Sequence, residues 1–84
     1  MNGRVYAVNQ QRRMVAIETE LHGFTIVELL SPESDVAIGD EISWESELRM
    51  GTDTYNNLST KRPLVVVAHR HLVSKSMVRQ ALMS

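Results

Sequence analysis

The chain of 84 residues contains no cysteine, which removes disulfides and thiolate metal sites together and leaves the hydrophobic core as the only staple of the fold. Aromatic residues are scarce, with one tryptophan, two tyrosines and one phenylalanine, so few side chains are available to stack on a ligand. Long apolar runs are missing as well. The longest uninterrupted one, Leu64 to Ala68, is far shorter than a bilayer requires, and no basic leader precedes an apolar stretch, so the expectation is a cytoplasmic protein that does not enter a membrane. Carboxylates are absent from both ends: all ten lie between Glu18 and Asp53.

What is present fits one small domain. A chain of this length builds a single core, and 43% apolar with 23% charged residues is the composition of a soluble globular protein. The net charge of -1 hides a segregated pattern, because eight of the nine cations lie outside the acidic middle and only Arg49 lies within it. Asymmetry of this kind bears on partners. Either the basic ends form a patch for a polyanion, or they are counter-ions of the acidic segment.

Local patterns read as short strands followed by one helix. Gly3 to Val8 favours a strand, closed by the polar turn Asn9 to Arg12. Met14 to Glu20 alternates Val15, Ile17 and Thr19 against Met14, Ala16 and Glu18, and Phe24 to Leu30 alternates in the same way after a turn at His22-Gly23. These two segments form a hairpin. A longer loop follows, and Glu41 to Ser46 makes strand four, with Ile42 and Trp44 on one face. Glu47 to Pro63 is polar and rich in turn formers, whereas Leu64 to Val73 is β-branched and reads as a further strand. Ser74 or Ser76 can cap a C-terminal helix whose apolar stripe is Met77, Val78, Ala81 and Leu82, with Lys75, Arg79 and Gln80 on the wet side. The expected fold is an all-β small barrel, OB-like, of five to six strands over residues 1–73, with a short helix over residues 74–84 packed on the same domain. A strongly bent SH3-like sheet is the alternative. Residues 54–60 and 64–72 compete for strand five.

The segment Gly3-Arg-Val-Tyr-Ala-Val-Asn9-Gln-Gln-Arg12-Arg-Met14-Val-Ala-Ile17-Glu18 resembles the first hairpin of cold-shock domains. Gly39-Asp-Glu-Ile42-Ser43-Trp44-Glu45 is similar to that family's fourth strand, and Asn57-Leu58-Ser59-Thr60-Lys61 to its strand ending. The resemblance spans residues 3–61. It implies an OB-like frame and single-stranded nucleic acid as ligand. The family's stacking positions are replaced here by Ala7, Met14, Ala16, Ile26 and Leu29, which removes the platform. Base stacking contributes roughly 1 to 3 kcal/mol per base, so any such binding would be weak and electrostatic.

On an OB-like barrel the loop cations Arg12, Arg13, Lys61 and Arg62 would gather at one rim beside the outward Tyr6, making a nucleic-acid site for RNA or DNA. Arg4 would face Glu41 or Glu45, and Arg70 would face Glu28, as internal counter-ions. Met14, Phe24 and Ile26 with Met77, Val78 and Leu82 are the candidates for a protein-interaction surface, unless the helix docks on the hairpin and covers it. Intramolecular docking is the expectation, because a tethered helix has a high effective concentration. No catalytic motif is visible, and His69 and His71 share one side of a strand without a third metal ligand near them. The expectation is a monomeric, non-catalytic binding module without cofactor or metal.

Overall fold

Alternating and β-branched segments dominate the chain, and in the computed structural model, which describes residues 1–45 and 48–83, they form six strands. These are β1 (Asn2–Asn9), β2 (Met14–Thr19), β3 (Phe24–Leu29), β4 (Glu41–Ser43), β5 (Gly51–Asn57) and β6 (Arg62–Val73). A single 3-10 turn, Lys75–Met77, then runs into α1 (Val78–Ala81). The sheet closes on itself in the order β1-β2-β3-β6-β5-β4, every neighbour antiparallel. The result is the small all-β barrel with a short C-terminal helix that the sequence pattern predicts, compatible with an OB-like barrel. Among the described residues no helix is long and apolar enough to cross a membrane.

Two boundaries differ from the sequence reading. Both contenders for strand five are strands, because the polar stretch before Pro63 contains β5. Its signature is weak: Thr52, Thr54 and Asn56 face water, and of its inward residues only Tyr55 is large and apolar. Strand four stops at Ser43. Its predicted end, Ser46, lies outside the described residues, as do Glu47 and Ser84.

The barrel interior is filled by period-2 positions from each strand, among them Val15, Ile17, Val27, Ile42, Leu64 and Val66. Trp44 and Tyr55 stack inside it in parallel, with centroids 4.4 Å apart. A bulge at Tyr6 breaks the alternation of β1 between Val5 and Ala7. Val5 and Val8 therefore both reach the interior, while Ala7 joins the outer layer. Gly3 cannot carry a side chain here, since a Cβ would lie 2.6 Å from Ile17 Cγ2 and 2.7 Å from the Glu18 carbonyl oxygen.

The outer layer is a second core. Met14, Ala16, Phe24 and Ile26 on the outside of the β2–β3 hairpin are sealed by Val78, Ala81 and Leu82. The helix therefore docks on the hairpin as expected. Asn9 fixes its end, the side-chain amide donating to the Leu82 carbonyl at 3.0 Å, which satisfies one of the acceptors that a helix C-terminus leaves open.

One pole of the barrel is closed by the loop of residues 30–40. Val36 enters the core, Gly39 N–H donates to the Val5 carbonyl at 2.9 Å, and the Val65 amide donates to Ser34 Oγ at 3.0 Å. The buried Asn57 joins this loop to the turn between β5 and β6. Its Nδ2 donates to Asp40 Oδ2 at 2.8 Å, and its Oδ1 accepts from the amides of Ser59 and Thr60.

The Tyr55 hydroxyl is buried without a hydrogen-bond partner among the described residues. Burial, and after it the Asp53 carboxylate, push this phenol well above its ordinary range. The neutral form is therefore favoured by folding. Stability linked to it is complete below about pH 10, the unfolded phenol's pKa, and falls as pH rises beyond that point. Tyr55→Phe should leave neutral-pH stability within about 1 kcal/mol of the parent, because it removes an unpaired polar atom while keeping the ring. Urea unfolding at rising pH should show a shallower alkaline decline for the variant, and an unchanged decline would contradict the assignment.

Candidate nucleic-acid interface

The predicted cations separate once the chain is folded. The loop between β1 and β2 and the loop between β5 and β6 do lie at the same end of the barrel, because β3 and β6 run antiparallel. Between them sits the acidic loop of residues 30–40. Arg13, at φ 55, turns into that loop and donates from one guanidinium nitrogen to the Ser31 carbonyl at 2.7 Å and the Ser34 carbonyl at 2.6 Å. These bonds make it a structural clamp, a role that the sequence reading did not assign to it. Arg62 is exposed but borders a pocket of about 330 Å³ together with Glu33, Asp35 and Asp40, an environment hostile to phosphate. Lys61 is exposed at φ 62 in the turn organised by Asn57.

Arg12 remains free and belongs to a different group. It borders a groove of about 390 Å³ with Arg70, His69 and Glu28, and a second of about 490 Å³ with Arg79. The two grooves flank the docked helix, Ala81 lining one and Leu82 the other. Arg12, Arg70 and Arg79 are all exposed, and none is in a salt bridge among the described residues. Glu28, the acid that lines the first of these grooves, is engaged by His69 Nε2 at 3.0 Å. Arg70 was expected to face Glu28, but register shifts in β6 place it opposite Ile26 and give Glu28 to His69. Arg4 does pair with Glu41 at 3.1 Å, as the adjacency of β1 and β4 requires.

At the other end of the helix Lys75 Nζ lies 5.7 Å from the Tyr6 ring centroid, and the ring packs edge-on to Phe24 at 5.0 Å. Tyr6 is 40% exposed. It is outward as expected, but it serves the basic helix face and not the distant loop pair. The remaining acids gather elsewhere: Glu18, Glu20 and Glu41 with Arg4 around a groove beside β1, and Glu33, Asp35 and Asp40 at the closed pole. The segregation seen along the chain thus reappears in space, with a basic face centred on the helix.

The protein-interaction candidates are corrected in the same way. Met14, Phe24, Ile26, Val78 and Leu82 are buried against one another and offer no surface, whereas Met77, read as part of the same stripe, is 42% exposed. A 3-10 turn precedes the helix, so the stripe is phased from Val78 and leaves Met77 outside. His69 and His71 have separate partners: His69 Nε2 meets Glu28, whereas His71 Nδ1 meets Thr25 Oγ1 at 2.9 Å and its Nε2 meets the Arg49 carbonyl at 2.8 Å. No cluster of three metal-ligating side chains exists among the described residues.

Arg70, Arg79 and Lys75 were missed as site residues. The helical period placed Arg79 and Lys75 on the wet side, which was the available signal. Arg70 had none, because its facing depends on bulges. No protein-family model, curated protein or solved structure matches the chain, so the barrel and its charged face stand on their own geometry.

Arg13→Ala should cost about 1–3 kcal/mol, since two carbonyls lose a charged donor. Chemical denaturation measures it, and a change below experimental error would show that the clamp carries no energy. Leu82→Ala opens the outer core and should cost about 2 kcal/mol or more, with increased binding of a hydrophobic dye. Unchanged stability and dye binding would mean that the helix is not a cover.

Proposed function

We propose that this protein is a non-catalytic binding module that holds single-stranded nucleic acid, RNA or DNA, weakly and electrostatically along its helix-covered face. The observation that carries the proposal is the grouping of Arg12, Arg70 and Arg79 on two adjoining grooves, exposed and without a salt bridge among the described residues, with Glu28 occupied by His69. Guanidinium groups are the side chains best matched to phosphate oxygens. Lys75 and Tyr6 extend the face at its other end, and Tyr6 supplies one ring edge for a base. The likeness of residues 3–61 to cold-shock domains favours a flexible single strand over a duplex. The covered hairpin removes the multi-aromatic platform that such domains use, so phosphate contacts carry the affinity and base sequence matters little.

Affinity should then be strongly salt-dependent. Three phosphate contacts on a single strand correspond to a slope of log K against log salt of roughly -2. Titration of a fluorescent oligouridylate and an oligothymidylate, followed by anisotropy at a series of salt concentrations, measures it. Replacing Arg12, Arg70 and Arg79 by Ala one at a time should each weaken binding and flatten the slope by about 0.7. Lys61→Ala with Arg62→Ala should change neither. Absence of saturable binding at low salt rejects the function, and dependence on Lys61 and Arg62 instead rejects the site.

A further inference from the structure

The pole opposite the loop of residues 30–40 carries a concentration of exposed apolar side chains. Leu48, Met50, Leu72 and Met77 are 44%, 54%, 54% and 42% exposed, and together with Arg70 and His71 they line one groove of about 520 Å³. Scattered surface leucines need no explanation, but a contiguous patch around a concavity marks a binding surface.

The patch is also held in place. His71 bridges the buried Thr25 hydroxyl and the Arg49 carbonyl. A carbonyl accepts only, so Nε2 is the donor, and in the neutral ring Nδ1 accepts from Thr25. This latch ties the loop bearing Leu48 and Met50 to β6. Leu72 sits at φ 57, a left-handed conformation unfavourable for a leucine. It is backed by Gly23, where a Cβ would approach Leu72 Cα to 2.8 Å. The left-handed residue lies in the irregularity that brings Val73 opposite Phe24 and Arg70 opposite Ile26, and there the Leu72 side chain stands exposed beside the groove.

We propose that this groove docks an acidic amphipathic segment of a partner protein. Leu48, Met50, Leu72 and Met77 offer one floor for the apolar face of an amphipathic segment. The charge selects the partner: among the described residues lining the groove, Arg70 is cationic and none is a carboxylate. Arg49 lies in the latched loop beside them and is exposed. A basic segment would be repelled, and an apolar one without acids would leave the guanidinium groups without partners. The proposal stands independently of nucleic-acid binding, although Arg70 borders both sites.

Selection of a displayed random dodecapeptide library on the intact protein, with counter-selection on Leu72→Asp, tests it. Aspartate tolerates the left-handed backbone, so this variant should remain folded, and Met50→Glu provides a second groove variant on an exposed position. Selected peptides should be net acidic with apolar residues at helical spacing. Their affinity should fall by about tenfold or more in either groove variant. It should also fall in Arg49→Glu with Arg70→Glu, and recover when the peptide's acids are exchanged for lysine. Peptides that are neutral or basic, peptides that bind the groove variants unchanged, or recovery of no groove-dependent peptide would overturn the proposal. A concentration-dependent dimer in sedimentation, abolished by Leu72→Asp, would overturn it in favour of a second copy as occupant.

Discussion

Strands β2 and β3 are apolar on both faces, and neither face can be left in water. Val15, Ile17, Val27 and Leu29 point into the barrel, while Met14, Ala16, Phe24 and Ile26 point out of it. Closing the sheet buries the first set and does nothing for the second. The C-terminal helix is the solution to that remainder, and its length of a single turn shows that it survives by packing and not by intrinsic propensity. The bulge at Tyr6, which sends Ala7 outward, and the Asn9 amide on the Leu82 carbonyl both serve this docking. The barrel and its cover share one outer core.

The same docking sets where charge can gather. A face that would otherwise be hydrophobic acquires the wet side of the helix, and Arg79 arrives with it beside Arg12 and Arg70. The acids are held away by the barrel's connectivity. The loop of residues 30–40 holds its acids around Arg62 with Arg13 clamped across it, and the groove next to β1 gathers Glu18, Glu20 and Glu41 around Arg4. Cations that are neighbours in sequence thereby acquire opposite roles: Arg12 faces solvent at a groove, and Arg13 is a structural donor.

Much of the fold was legible because its signals are local. The alternation of Met14–Thr19 and Phe24–Leu29, the β-branched run after Pro63, and the spacing of Val78, Ala81 and Leu82 each predict an element and its buried face. Strand β5 was not legible, since a strand whose exposed positions are Thr52, Thr54 and Asn56 looks like a turn-rich loop. The site was less legible still. Hydrogen bonds from Arg13 reach carbonyls of Ser31 and Ser34, far along the chain. In β6 the extra residues in the pairing with β3 rotate Arg70 away from Glu28, which strict alternation does not anticipate.

By itself the sequence determined a fold without covalent staples, a barrel of short strands, a helix with one apolar stripe, and a separation of acids from bases along the chain. Tertiary structure alone decided which cations stayed free, and that Leu48, Met50, Leu72 and Met77 meet at one pole. The physical reason is that periodicity encodes burial locally. A cation's availability and a groove's composition depend on strand register, bulges and carbonyl partners contributed by distant segments, and these exist only after the barrel has closed.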